Sequence, residues 1–456
     1  MIEKQAGNGS RKRPGFTSKK SKRGAEAAGG RPSLLRHPVF GRTFAAYGIA
    51  VFGDWFDAIA IQVLIGYRWQ ASPLEMAMVP VCMALPGILL GSAAGAAADR
   101  LNRLKLMRLC DLLTVFATIG ILLVPNIYSL LPLIALRAAL GVFNVPAQQA
   151  LTRRVVDEEQ LVDASSLNGL AGQLSRIAGP LAGAGVLALL SPQACILVNA
   201  GARLLSYGIL KTVPPEADPQ TDPAAKSYSG ADSAEQSGSA PGKRRTLWGE
   251  LLEGWSFVRR TRILLHLLAF ALCGMLVIQM IDFQFISLFR TIAPSSETAI
   301  GWLLAASGAS AALTAAANLR FAPLRRQGYA VKLGGSYILI GLSVLLLGLL
   351  APGASIAAIL GIGLLLGAGN GLFMITFNYA LQKETPAAMT GRVFGIQHTL
   401  LSLVMIAAPP LGGLSVQHFG AGSVFEAAGW TILLLGTAGF VFGRSIWKPA
   451  AGISRN

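Results

Sequence analysis

The stretch Gly95-Ala96-Ala97-Ala98-Asp99-Arg100-Leu101-Asn102-Arg103-Leu104-Lys105 decides the fold. An apolar run, 75–98, leads into it, and a second, 106–125, follows it. A run of roughly 20 apolar residues is long enough to cross a bilayer as a helix. Gly95 and the alanines after it let a neighbouring helix approach closely. Asp99 can face a helix N-terminus, where negative charge is favoured. Arg100, Arg103, Lys105 and Arg108 hold the connection on one side of the membrane. The stretch therefore reads as a tight, charged turn between two membrane helices.

The rest of the chain repeats this pattern. Apolar runs fall near 44–67, 75–98, 106–125, 129–150, 164–190 and 193–212, then near 264–289, 298–318, 332–351, 355–379, 393–417 and 424–446. Hydrophobic residues make up 53% of the 456 and charged residues 13%, with a mean hydropathy of +0.54. A soluble domain carries about 25% charge and could not hide so much apolar surface. The fold expected is an all-α polytopic membrane protein with twelve transmembrane helices.

The formal net charge of +17 suggests nucleic-acid binding until its distribution is read. Arg11, Lys12, Arg13, Lys19 and Lys20 precede the first run; Arg153 and Arg154 follow the fourth. Arg320, Arg325, Arg326 and Lys332 surround the eighth connection, Lys383 and Arg392 the tenth, and Arg444, Lys448 and Arg455 the end. The other side has only Arg68 and Arg290. This asymmetry places the basic connections and both termini in the cytoplasm. No single folded patch gathers the charge, so a nucleic-acid partner is not expected. The polar first 35 or so residues do not read as a cleavable signal peptide.

Residues 213–245 have linker composition. Leu247, Leu251, Trp255 and Val258 then recur at helical spacing, so 246–262 reads as an amphipathic surface helix. The expected organisation is a basic tail (1–42), a six-helix bundle (43–212), a linker with its surface helix (213–262), a second six-helix bundle (263–447) and a short tail (448–456). A shift of 230 residues aligns Gly141 with Gly371, Phe143 with Phe373, Pro180-Leu181 with Pro410-Leu411 and Gly183 with Gly413. Parallel repeats of this kind place a substrate cavity between the halves, near the midplane.

Taken together, the 95–105 stretch resembles the GxxxDRxxRK signature between helices 2 and 3 of the major facilitator superfamily, with Leu104 where a basic residue is common. The resemblance implies that Gly95, Asp99, Arg100 and Arg103 form a latch that steadies one of two alternating states. Arg137-Ala138-Ala139-Leu140-Gly141 resembles the family's fourth-helix RxxxG motif, with Leu140 where a Gln is often found. It implies a role for Arg137 in proton coupling; a fixed structural ion pair is the other reading. Gly179-Pro180-Leu181-Ala182-Gly183 is similar to the GPxxG motif of the exporting, antiporter branches. Its small residues favour close packing, and Pro180 permits a kink. GDWFD at 53–57 and EGWSFVRR at 253–260 are closest in style to the macrolide-efflux and enterobactin-exporter-like branch.

Asp54 and Asp57 are one turn apart on the first run, near the middle of the membrane. Two carboxylates this close in a low dielectric do not both stay ionised, which is the chemistry a proton-coupled carrier needs. A static pairing with Arg137 or Arg176 is the alternative. Trp55, Phe56, Gln279, Asp282 and Phe377 are the candidate substrate-cavity residues. Arg176 and Arg203 are further intramembrane charges with no evident partner, and His398 reads as a hydrogen-bonded structural residue. Cys82, Cys110, Cys195 and Cys273 read as small packing residues, without a metal-type CxxC pair.

These readings converge on a monomeric secondary active transporter that exports a small amphipathic molecule, such as a drug, macrolide or siderophore, in exchange for protons. An importer of the same fold and a non-transporting sensor are the rivals. No enzyme motif, phosphate-binding loop, metal or cofactor is expected.

Overall fold

The computed structural model describes residues 34–443 and 447, apart from 158, 159, 190, 215–246, 295, 297, 322–326, 387 and 388. Most of the basic tail and the linker, with Arg325, Arg326, Arg444, Lys448 and Arg455, lie outside the described residues. No strand occurs among those described.

The first half holds α1 (Pro38–Val63, extended by a π-turn, Leu64–Arg68), α2 (Pro73–Arg100), α3 (Arg103–Leu123), α4 (Ile127–Val155), α5 (Leu161–Leu189) and α6 (Pro192–Lys211). Next comes α7 (Leu247–Arg260), between the halves. The second half holds α8 (Arg262–Asp282), α9 (Phe285–Ile292), α10 (Ala299–Arg320), α11 (Gly335–Gly348, preceded by a π-turn, Ala330–Gly334), α12 (Ile356–Glu384), α13 (Thr390–Phe419) and α14 (Ala421–Val441). Eleven helical segments are long and apolar enough to cross a membrane. α5, 29 residues long, completes the six helices of the first half and carries Gln173, Ser175 and Arg176 midway along its sequence. The protein is thus an all-α, twelve-span membrane protein in two related halves.

Short polar residues start the helices. Ser72 accepts from the Glu75 N–H at 3.3 Å while Glu75 Oε2 accepts from the Ser72 N–H at 2.7 Å, a reciprocal cap on α2. Asn102, Asn126, Ser191 and Ser355 cap α3, α4, α6 and α12. The cap on α3 therefore comes from Asn102, whose Oδ1 accepts from the Lys105 N–H at 2.8 Å. The run 264–289, expected as one span, breaks at Phe283–Gln284 into α8 and α9. The break buries Gln284, whose side-chain amide donates to the Pro73 carbonyl of the other half at 2.9 Å.

Helix pairings recur between the halves. α2 packs on α4 as α10 packs on α12; α3 on α6 as α11 on α14; α1 on α5 as α8 on α13. Across the halves, α2 meets α13 and α5 meets α10. Gly413 allows the first of these contacts, because a Cβ there would lie 2.7 Å from the Pro73 carbonyl oxygen.

One face gathers the start of α1 and the end of α6. Arg42 Nη1 donates to the Thr212 carbonyl at 2.5 Å, and Arg108 Nη2 donates to the Leu210 and Val213 carbonyls at 2.7 and 2.9 Å. The α2–α3 and α4–α5 connections, with their arginines, lie on this basic face. On the opposite face the halves are tied together. Arg290 Nη1 donates to the Ala71 carbonyl at 2.9 Å and Nη2 to Gln70 Oε1. Tyr67 OH reaches the Ala293 carbonyl at 3.4 Å. Gly66 is pressed on Ile286, where a Cβ would meet Cγ2 at 1.7 Å.

Candidate functional site

Five charged side chains alternate in sign through the middle of the first half. Asp57 pairs with Arg137 Nη1. Arg137 Nη2 stands 3.7 Å from Asp54 Oδ1. Asp54 accepts from Arg203, at 2.5 Å on Oδ2 and 3.3 Å on Oδ1. Arg203 Nη1 donates to Asp111 at 3.1 Å. Asp111 also accepts from Ser206 Oγ at 2.6 Å and Asn144 Nδ2 at 3.1 Å. The chain runs Asp57–Arg137–Asp54–Arg203–Asp111 and draws on α1, α4, α6 and α3.

Helical spacing aligns the members, since Asp54 and Asp57, like Arg203 and Ser206, are three residues apart. Gly53 brings α6 close enough for Arg203 to reach Asp54: a Cβ there would lie 2.7 Å from the Ala202 Cβ and 2.9 Å from Asn199 Oδ1. Asp57 and Asp111 are each 1% exposed, whereas the Asp54 side chain is 40% exposed. Asp54, just past the middle of the helical segment Pro38–Arg68, is the member most open to water.

Between the halves lies a cavity of about 200 Å³ walled by Trp55, Ala58, Ile59 and Gln62 of α1, by Asp282 and its neighbours on α8 and α9, and by Ser307 and Asn370 of α10 and α12. Of the cavity residues expected from sequence, Trp55 and Asp282 line it. Phe56 is half-buried and Gln279 buried, both outside its wall. Phe377 belongs to a stack in the second half, with ring centroids 5.5 Å from Phe373, which in turn lies 4.9 Å from Tyr337.

The α5 motif meets this wall from behind. A Cβ on Gly179 would lie 2.3 Å from Trp55 Cδ1, and one on Gly183 would lie 2.7 Å from the Trp55 carbonyl oxygen. The expected hinge and the expected cavity thus share one tryptophan. The side chains of Pro180 and Arg176 lie outside the described residues. The 95–105 motif sits apart, on the basic face: Gly95 has open space around it, Arg100 is exposed and Arg103 half-buried. The Asp99 side chain also lies outside the described residues. His398 is exposed, with Nδ1 3.4 Å from Ser402 Oγ. All four cysteines are free; Cys110 and Cys195 are buried, while Cys273 is exposed.

Residues 43–409 match the family model described as Major Facilitator Superfamily. The chain belongs to the major facilitator superfamily. A relative from Bacillus subtilis (strain 168), described as an uncharacterized MFS-type transporter, YfiS, is 28% identical over 402 residues, covering 86% of this chain and 90% of its own. Among solved structures, the nucleoside transporter NupG superposes with a TM-score of 0.63 at 13% identity, covering 91% of this chain and 99% of its own. A bacterial homologue of the human lysosomal transporter Spinster, in an inward-facing and unoccupied conformation, gives 0.64 at 13%, covering 92% and 97%. The peptide transporter POT, in complex with sulfate, gives 0.60 at 14%, covering 89% and 95%. At these identities the likeness is one of fold. As a superfamily member, the protein is a membrane transporter.

Asp111, Ser206 and Asn144 were not anticipated from sequence. Asp111 carried a usable signal, being a single acid inside the apolar run 106–125. Such a residue is costly in a membrane and needs a partner. Arg203 stood out in the sequence, but its partners are 149 and 92 residues away along the chain.

Proposed function

We propose that the protein is a proton-coupled exporter of a small amphipathic molecule, working as a monomer by alternating access. The observation that carries this reading is the chain of three carboxylates and two guanidiniums centred on Asp54. With every member ionised it bears a net charge of −1 inside the membrane, an unfavourable state. One proton makes it neutral. Asp54 is shared by both arginines, so its protonation leaves two one-to-one pairs, Arg137 with Asp57 and Arg203 with Asp111. Protonation of either end would strand its arginine on a carboxylate already in use. Asp54 is also the accessible member and adjoins Trp55 on the cavity wall. Proton binding there loosens α1 from α6, while Arg137 and Asp57 still join α4 to α1, and biases the two states of the bundle.

The positive-inside rule supports a cytoplasmic basic face and cytoplasmic termini. The seal at Arg290, Gln284 and Gly66 then lies on the outer side. The Gly179-Pro180…Gly183 motif and the 53–57 and 253–260 strings support export and the macrolide-efflux or siderophore-exporter branch. In this reading Gly95, Asp99, Arg100 and Arg103 form the latch on the cytoplasmic side.

The test is proton flux in proteoliposomes under a pH gradient, with macrolides, siderophores and bulky amphipathic amines as candidate substrates. Substrate-dependent dissipation of the gradient that disappears in Asp54→Asn supports the assignment. Dissipation that survives the substitution removes Asp54 from the coupling.

A further inference from the structure

Asp282 stands alone. Every carboxylate in the first-half chain has an arginine within 3.7 Å, but Asp282 has neither an ion pair nor a hydrogen-bond donor among the described residues. It is nonetheless accessible to solvent, and the surface it reaches is the cavity between the halves. Around it are aliphatic and aromatic groups, Ile281, Phe285, Trp55 and Leu304, with the neutral amides of Gln62 and Asn370.

A bare carboxylate in such surroundings is unfavourable. The backbone supplies no net counter-charge. Asp282 ends α8, where the partial charge is negative, while α9 begins at Phe285 with its positive end, and the two oppose each other. The missing positive charge must come from outside the fold, as a proton or as a bound cation. An aromatic wall beside a carboxylate suits an organic ammonium, whose charge meets the acid and whose methyl or methylene groups meet the rings. At about 200 Å³ the cavity equals roughly seven water volumes of ~30 Å³. That space admits a compact ammonium group with one ring, as a whole ligand or as the cationic end of a larger one.

We infer that the cavity binds organic ammonium cations, with Asp282 as their counter-ion and Trp55 and Phe285 as apolar walls. The inference rests on the transporter reading above and adds the substrate's charge. It divides the labour between the halves: the first-half carboxylates are held by arginines and handle protons, while the free carboxylate of the second half handles the substrate. Because Trp55 belongs to one half and Asp282 to the other, a bound cation draws the two together.

The experiment measures equilibrium binding of benzyltrimethylammonium to the full chain in lipid nanodiscs by calorimetry, without any gradient. Its permanent charge removes titration of the ligand, and neopentylbenzene is a neutral molecule of nearly the same shape. The expected result is saturable binding to the wild type, weakened about tenfold or more by Asp282→Asn and about as much for neopentylbenzene, since one partner of a desolvated charge pair is lost in each case. Asp282→Glu retains binding, which separates loss of charge from loss of fold. Absence of saturable binding to the wild type, equal affinity in Asp282→Asn, or equal affinity for neopentylbenzene overturns the inference. So does a variant Asp282→Asn that binds normally yet loses pH-driven flux, which would make the carboxyl a proton carrier. Intact cation binding with flux unaffected by Asp54→Asn would instead sink the coupling assignment and leave this inference standing.

Discussion

Gly179 of α5 lies against the indole of Trp55 on α1, so close that a Cβ would fall 2.3 Å from the ring. Trp55 also walls the cavity between the halves. Any movement of α5 along α1 is therefore transmitted to the cavity through this ring. Gly179→Ala should lower the thermal unfolding temperature and slow transport, because overpacking typically costs about 1–3 kcal/mol. Trp55→Ala in the same chain should restore most of the stability. A double-mutant cycle on unfolding temperatures checks this, with a coupling of about 1 kcal/mol expected for residues in direct contact. Additive effects would show that α5 absorbs the methyl by moving elsewhere.

Arg203 bonds two carboxylates, so its loss should be felt more than the loss of the acid at its accessible end. Arg203→Leu leaves Asp111, 1% exposed, with Ser206 and Asn144 as its donors among the described residues. Breaking a buried pair costs about 3–5 kcal/mol. Asp54→Asn keeps an amide oxygen for Arg203 at an accessible position and should cost clearly less. Thermal denaturation in detergent ranks the variants. A double variant Arg203→Leu/Asp111→Leu should recover part of the loss, because no unpaired charge then stays buried.

The seal on the face opposite the basic connections depends on neutral acceptors. Arg290 donates to the Ala71 carbonyl and to Gln70, and Gln284 to the Pro73 carbonyl. Arg290→Ala should shift the population toward states open on that face. Ser287, 8% exposed behind the seal, is a suitable reporter. In a cysteine-free background, Ser287→Cys should react severalfold faster with an impermeant maleimide once Arg290→Ala is added. An unchanged rate would assign the seal to the Gly66–Ile286 and Gly413–Pro73 packing instead.

α7 is held to α13 by packing more than by charge. Glu253 pairs with Arg392 at 3.0 Å, but both side chains are partly solvated, and such pairs contribute about 0–1 kcal/mol. Gly254 fits against α13, where a Cβ would lie 3.1 Å from Ile396 Cδ1 and 3.2 Å from Arg392 Cβ. Glu253→Ala should leave hydrogen exchange over 247–260 nearly unchanged, whereas Gly254→Leu should raise it strongly. The reverse order would assign the docking to the ion pair.

Part of the site was legible in the amino-acid order. Asp54, Asp57 and Arg137 stood out because a charge inside an apolar run is expensive wherever the helix lies. The pairing pattern was not legible. Arg137 and Arg176 were both available to the aspartates, and nothing in the spacing named Arg203 as the bridge to Asp111. That choice follows from the rotation of α6 against α1, which Gly53 permits. The break at Phe283–Gln284 was hidden for a similar reason. The run 264–289 is continuously apolar enough to span, and only the other half of the molecule supplies the Pro73 carbonyl that Gln284 meets.

The sequence by itself determined the membrane fold, the number of spans, the two-half organisation and the asymmetry of basic charge. These depend on local quantities, the length and polarity of each run and the charge of each connection, which the bilayer reads one segment at a time. The tertiary structure alone decided which acid meets which arginine, that Gly179 and Trp55 share a contact, and that Asp282 faces the cavity without a partner among the described residues. Those are matters of helix rotation and close approach, set by small residues on facing helices and by side chains far apart in the chain.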